Sequence, residues 1–134
     1  MKAVLDTNIY VSAIALPGGQ AEKALLAALH GHYRVAISKP IIHEVLDVLA
    51  RKFARDPEAL ARVAVFLDEL GTLVHPRKTL DILKDTPDNR ILECAATARA
   101  HYIVTGDRAM LALGHYQETR IVTLRAFLDL LEIH

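Results

Sequence analysis

Cysteine is nearly absent: Cys94 stands alone among 134 residues. No disulfide can form within the chain, and neither a stapled secreted scaffold nor a thiolate zinc site is supported. Tryptophan is missing and only four Tyr and three Phe are present, which argues against a surface that grips single strands mainly by stacking bases on aromatic faces. An excess of either charge is missing too. Sixteen Lys and Arg balance sixteen Asp and Glu, so any site for a polyanion has to be local. No apolar run approaches the roughly 18 residues of a membrane span, and the opening stretch from Met1 meets an acid already at Asp6. A cytoplasmic protein without a membrane segment is the expectation. Repeats, low-complexity tracts and blocks of like charge are lacking as well, so nothing marks a linker, and residues 1–134 are expected to form one domain.

What the chain has is apolar residues, 52% of the total, in alternating short and long patterns. Lys2 to Leu5 is a strand pattern ending at Asp6, followed by a partly helical loop through Pro17, Gly18 and Gly19. Ala21 to Leu29 reads as a helix stopped by Gly31, and Tyr33 to Ile37 as a buried strand. Pro40 opens a helix whose Ile41, Ile42, Val45, Leu46, Leu49 and Phe53 share a stripe, with Ser38 able to cap it. Asp56 and Pro57 open another, with Leu60, Val63, Ala64 and Leu67 spaced for burial before Gly71; Leu73 and Val74 form a brief strand.

The helix that opens near Asp88 carries Ile91, Leu92, Ala95 and Ala98 on one face. His101 to Thr105 is a strand, Met110 to Leu113 a short helix, Arg120 to Leu124 a last strand and Ala126 to Leu131 a closing helix. Strands this apolar, alternating with helices, predict an α/β fold of three layers, α/β/α, around a mostly parallel sheet with Rossmann-like topology. Ligands of such sheets bind beyond the carboxyl ends of the strands, at a topological switch point.

Acids fall at those ends. Asp6 follows one strand directly and Asp107 follows another after a single Gly, so both emerge at the same sheet edge if the strands are neighbours. Asp88 lies in a first helical turn on the inward side, and Glu44 lies on the margin of its helix stripe, whereas Asp47 is on the opposite face. Asp6, Glu44, Asp88 and Asp107 can therefore converge. Clustered carboxylates raise one another's pKa unless a cation compensates, and an all-oxygen donor set suits Mg²⁺ or Mn²⁺. Such an ion polarises phosphodiesters and lowers the pKa of bound water, which is the chemistry of nucleic-acid hydrolysis. Asn8, Thr105 and Ser38 are candidates to orient an acid or a water, Ser38 only if it is not used as a cap.

Asp6-Thr7-Asn8 after the first strand, Ser38 to Glu44 leading a helix, Pro87-Asp88-Asn89 before Ile91, and Thr105-Gly106-Asp107 after a strand together resemble the PIN-domain signature over nearly the whole chain. The likeness is closest to prokaryotic PIN proteins described as toxins of toxin-antitoxin pairs, VapC-like ribonucleases. It implies an endoribonuclease dependent on Mg²⁺ or Mn²⁺ that acts on RNA, with metal acids at Asp6, Glu44, Asp88 and Asp107 and a polar helper at Asn8. It also implies a homodimer and a small antitoxin partner.

Plainer readings stand beside these. Asp6 and Asp107 could be turn residues, Asp88 a helix cap, and Glu44 a solvated acid. Glu93 falls nearly opposite its helix stripe and reads as a surface glutamate, Asp85 as a solvated loop residue, Cys94 as a small packing residue, and His30 and His32 as a surface pair. Arg51, Lys52 and Arg55 complement a helix dipole; Arg90 and Arg108, each within two residues of a candidate ligand, are placed to hold an RNA phosphate chain. Three other functions compete with the toxin: a PIN nuclease that processes RNA without an antitoxin, a non-catalytic PIN scaffold binding RNA or protein, and a phospho-acceptor receiver domain. The last is disfavoured, because the second strand ends at Ser38 without an acid and no Lys follows Asp107.

Overall fold

The computed structural model describes residues 1–134. Six strands and seven helices follow in the order β1 (Lys2–Leu5), α1 (Thr7–Ala15), α2 (Gln20–Leu29), β2 (Arg34–Ser38), α3 (Lys39–Phe53), α4 (Pro57–Leu70), β3 (Thr72–Val74), α5 (Thr86–Ala98), β4 (Tyr102–Val104), α6 (Arg108–Leu113), β5 (His115–Tyr116), β6 (Thr119–Val122) and α7 (Leu124–Leu130). The strands form one sheet in the order β3-β2-β1-β4-β6-β5, with helices on both faces in the expected three-layer arrangement. No helix is long and apolar enough to cross a membrane.

Every pairing is parallel except β5 with β6. The chain moves outward from β1 through β2 to β3, then returns to lay β4 on the other side of β1. That reversal makes the ends of β1 and β4 the switch point, and Leu5 pairs there with Val104. Central positions such as Ala3, Val4, Leu5, Ile103 and Val104 are fully buried, as strands covered on both faces must be.

The helices obey their local signals. Pro40 lies in the first turn of α3, whose Ile41, Ile42, Val45, Val48 and Leu49 face inward, and the helix ends with Ala54 in the left-handed region at φ 49°. Asp56 caps α4 by accepting from the Ala59 N–H at 2.8 Å.

Several expectations need correction. The partly helical loop after β1 is a regular helix, α1, because Ile9, Tyr10, Val11 and Ala13 all find core to cover. Phe53 continues the stripe of α3 but, as the helix's last residue, is 37% exposed. Of the residues spaced for burial on α4, only Leu67 is fully covered. The last strand ends at Val122, where Thr123 caps α7 by accepting from the Ala126 N–H at 3.1 Å. The two-residue strand β5, closed onto β6 by a turn with Gln117 at φ 53°, is too short to leave a periodic pattern and makes one sheet edge antiparallel.

Candidate active site

Asp6 leaves β1 at the switch point, its N–H bonded to the Val104 carbonyl of β4 at 2.9 Å. It occupies the N-cap position of α1 but does not cap with its side chain. Instead the Asp6 carboxylate accepts from the Thr105 hydroxyl at 2.6 Å. Burial pushes its pKa upward, the Thr105 hydroxyl and the nearby amides of Thr7 and Asn8 oppose the rise, and the charge of Asp107 adds to it.

Thr105, itself fully buried, links two acids: its hydroxyl donates to Asp6 and accepts from the Asp107 N–H at 3.0 Å. The Asp107 carboxylate in turn accepts from the Met110 N–H at 2.9 Å and caps α6. Asp88 arrives from the first turn of α5, buried, with Oδ2 lacking any hydrogen-bond partner. Desolvation first, then the charges of Asp107, Asp85 and Asp6 and a hydrogen bond with Asp107, raise its pKa to about 7. A carboxyl that titrates there is largely protonated below neutral pH and loses that proton as the pH rises through neutrality.

Three aspartates from three segments thus meet at the end of β1 and β4. Glu44, half-buried on α3, lies to one side, lining a cleft with Thr7, Pro40, Thr86, Pro87 and Arg90. As the side chains stand, no three His, Cys, Asp or Glu residues are close enough to hold one ion together. The donor chemistry nonetheless fits a hard divalent cation. The oxygens are carboxylate, one buried oxygen of Asp88 is unpartnered, and mutual repulsion raises pKa values that a cation would lower.

The other candidates are placed differently. Asn8 stands in the first turn of α1 close to Asp6 with its side chain exposed. Ser38 is not used as a cap, but its hydroxyl is fully buried beside the Cys94 thiol and has no hydrogen-bond partner of its own. Arg108 is exposed next to Asp107. Arg90 is not free to hold a phosphate chain: it donates to the Leu80 carbonyl at 3.1 Å and pairs with Glu93 at 3.0 Å. Glu93 is no surface glutamate either. The segment joining β3 to α5 folds over it, leaving it 7% exposed and accepting from the Leu80 N–H at 2.7 Å. Thr7 and Asn89, which the sequence offers only as members of the Asp6-Thr7-Asn8 and Pro87-Asp88-Asn89 motifs, take distinct places: Thr7 lines the cleft and Asn89 is buried against the segment before α5.

The PIN domain family model matches residues 2–109, a span that contains all three clustered aspartates and Glu44. The chain belongs to the PIN-domain family. PIN domains are generally nucleases. This PIN domain is similar to an uncharacterized protein of Methanocaldococcus jannaschii, at 24% identity over 117 residues, covering 84% of this chain and 75% of that protein. Among solved structures it shares its fold with VapBC2 from Rickettsia felis, bound to a DNA fragment from their promoter. The TM-score is 0.64 at 17% identity, over 92% of this chain and 98% of that one.

Proposed function

We propose that this PIN domain is an endoribonuclease dependent on Mg²⁺ or Mn²⁺ and the toxin of a toxin-antitoxin pair, acting in the cytoplasm as one domain. The proposed metal acids are Asp6, Glu44, Asp88 and Asp107. The observation that carries the reading is the convergence of Asp6, Asp88 and Asp107 at the sheet's switch point with a buried Asp88 oxygen left unpartnered. A fold has no structural use for three repelling carboxylates there, whereas a cation site does. The fold shared with VapBC2 supports the antitoxin partner, and the homodimer is proposed on the resemblance to VapC-like toxins alone.

When bound, the divalent ion would polarise the phosphodiester and lower the pKa of the attacking water. The chain's own residues prepare that event. The Thr105 hydroxyl holds the Asp6 carboxylate in one orientation, and the Met110 N–H does the same for Asp107. Asp88, whose carboxyl burial and neighbouring acids hold partly protonated at neutral pH, would lose that proton in favour of a divalent cation and so serve as one of its ligands. Glu44 closes the α3 side of the cleft. Hydrolysis then adds water to phosphorus, breaks one P–O bond and leaves the departing oxygen protonated.

The test is cleavage of mixed-sequence single-stranded RNA by the purified protein with Mn²⁺ or Mg²⁺, beside a chelator control and Asp6→Asn. Cleavage lost in both controls supports the nuclease. Failure of the protein to bind divalent ions by calorimetry would remove the catalytic reading in favour of a scaffold. Growth arrest on expression, rescued by the product of a neighbouring small reading frame, is expected of a toxin; arrest without such a rescuer favours RNA processing.

A further inference from the structure

The segment from His75 to Asp85 has almost no regular structure, yet three side chains of α5 hold it down. Asn89, 2% exposed, accepts from the N–H groups of Ile82 at 3.0 Å and Leu83 at 2.8 Å and donates to the Leu83 carbonyl at 2.8 Å. Glu93 and Arg90 grip both polar groups of Leu80 while pairing with each other. Burying polar side chains is unfavourable unless they find partners, and here most of the partners are the strap's backbone groups, with the Arg90 Nε alone left without one. The effect is to fix residues 80–83 against α5 and to anchor the exposed residues just before them.

Those residues are His75, Arg77 and Lys78, which line a groove on the flank of α5 that reaches Thr97 and Gln117. A second depression shares Ala96 and Gln117 and continues past Arg99 and His101 to Thr119. The two make one path. Arg77, Lys78 and Arg99 are exposed and take part in no salt bridge. Glu93, in the floor, is already neutralised by Arg90, so Glu118 is the one unpaired acid along the path. From Asp88 to Ala96, where the depressions join, the helix rises roughly 12 Å. The path therefore runs along the later turns of α5, the helix that Asp88 opens, and leads away from the acids.

We infer that this path is a track for an RNA backbone, gripping the substrate at a distance from the cut; the inference rests on the nuclease reading above. Three exposed, unpaired cations along an open groove match a chain of phosphates. A folded protein partner would need a pocket for an aromatic or aliphatic anchor, and the apolar lining is limited to Leu80, Tyr116 and alanines.

The test measures binding of labelled single-stranded RNA in chelator across a salt series, and cleavage of a long and a very short RNA with Mn²⁺. The combined variant Arg77→Ala, Lys78→Ala, Arg99→Ala is expected to bind at least tenfold more weakly and to flatten the slope of log affinity against log salt by about 2, or ~0.7 for each of three phosphates. Its KM for long RNA should rise while cleavage of the short RNA is unchanged, and Arg77→Lys with Arg99→Lys should retain binding. The control variant Arg51→Ala, Lys52→Ala, Arg55→Ala, at the far end of α3, should stay within twofold. Unchanged affinity and slope in the groove variant, or an equal loss in the control, overturns the track and leaves the nuclease standing. Loss of a co-purifying protein with RNA binding intact also overturns it, by making the path a protein face. A wild-type protein that neither binds nor cleaves RNA ends both proposals.

Discussion

At the scale of single residues, the site depends on hydroxyl and amide groups that a carboxylate-centred reading undervalues. Thr105 satisfies Asp6 and the Asp107 N–H with one hydroxyl, so Thr105→Val would leave two polar groups without their partner in a buried place. Mn²⁺ affinity by calorimetry is expected to fall 10- to 100-fold, on the order seen when a ligand's hydrogen-bond partner is removed, and Thr105→Ser should restore most of it. The lone thiol behaves oppositely. Cys94 is fully buried, and burial pushes its pKa up to about 12, so almost no thiolate exists at neutral pH. Alkylating reagents should label it only after denaturation; rapid labelling of native protein would contradict the packing described. Asp6, Asp88 and Asp107 were legible as candidates because each follows a strand or opens a helix. The fate of Arg90 and Glu93 was not, because the strap that covers them has no periodicity to announce its path.

Among the elements, the turn from α4 into β3 shows how closely the pieces fit. A Cβ at Gly71 would stand 2.6 Å from the Val35 carbonyl oxygen of β2, and that neighbour is backbone in a central strand. The residue's φ of −135° is open to any side chain, so the need for glycine is close approach alone. Gly71→Ala is expected to destabilise by about 1–3 kcal/mol through overpacking, read as a lowered midpoint in urea with an unchanged slope. The same substitution at Gly106, which meets nothing within 4 Å and has no positive φ, should be close to neutral. Long amphipathic helices such as α3 and α5 were readable from apolar spacing. The two-residue β5 and the helical continuation of Asp6 into α1 were decided by neighbours that no local window contains.

For the molecule as a whole, the clustered acids set how stability responds to pH and to cations. Asp88 is raised in the folded protein to about 7 from an ordinary 3.8. Between those values the folded state holds a proton that the unfolded chain has lost, so the slope of stability with pH is negative there. Metal-free protein should therefore be more stable near pH 5 than above pH 7 by thermal denaturation, and Asp88→Asn should flatten the difference. Above pH 7, Mn²⁺ at a hundredfold its dissociation constant should return about 2.7 kcal/mol, and this gain should vanish in Asp88→Asn. A midpoint that rises steadily from pH 5 to pH 8 without metal would refute the clustering. By itself, the sequence determined the alternation of strands and helices, the parallel core and the positions of acids just past strand ends, because periodicity and punctuation are local properties of the chain. Tertiary structure alone decided that β4 returns beside β1, that three aspartates meet there while Glu44 lines the cleft to one side, and that a strap seals Glu93 and Arg90. Those outcomes depend on crossover direction and on contacts between segments far apart in sequence, and their energies have no local signature.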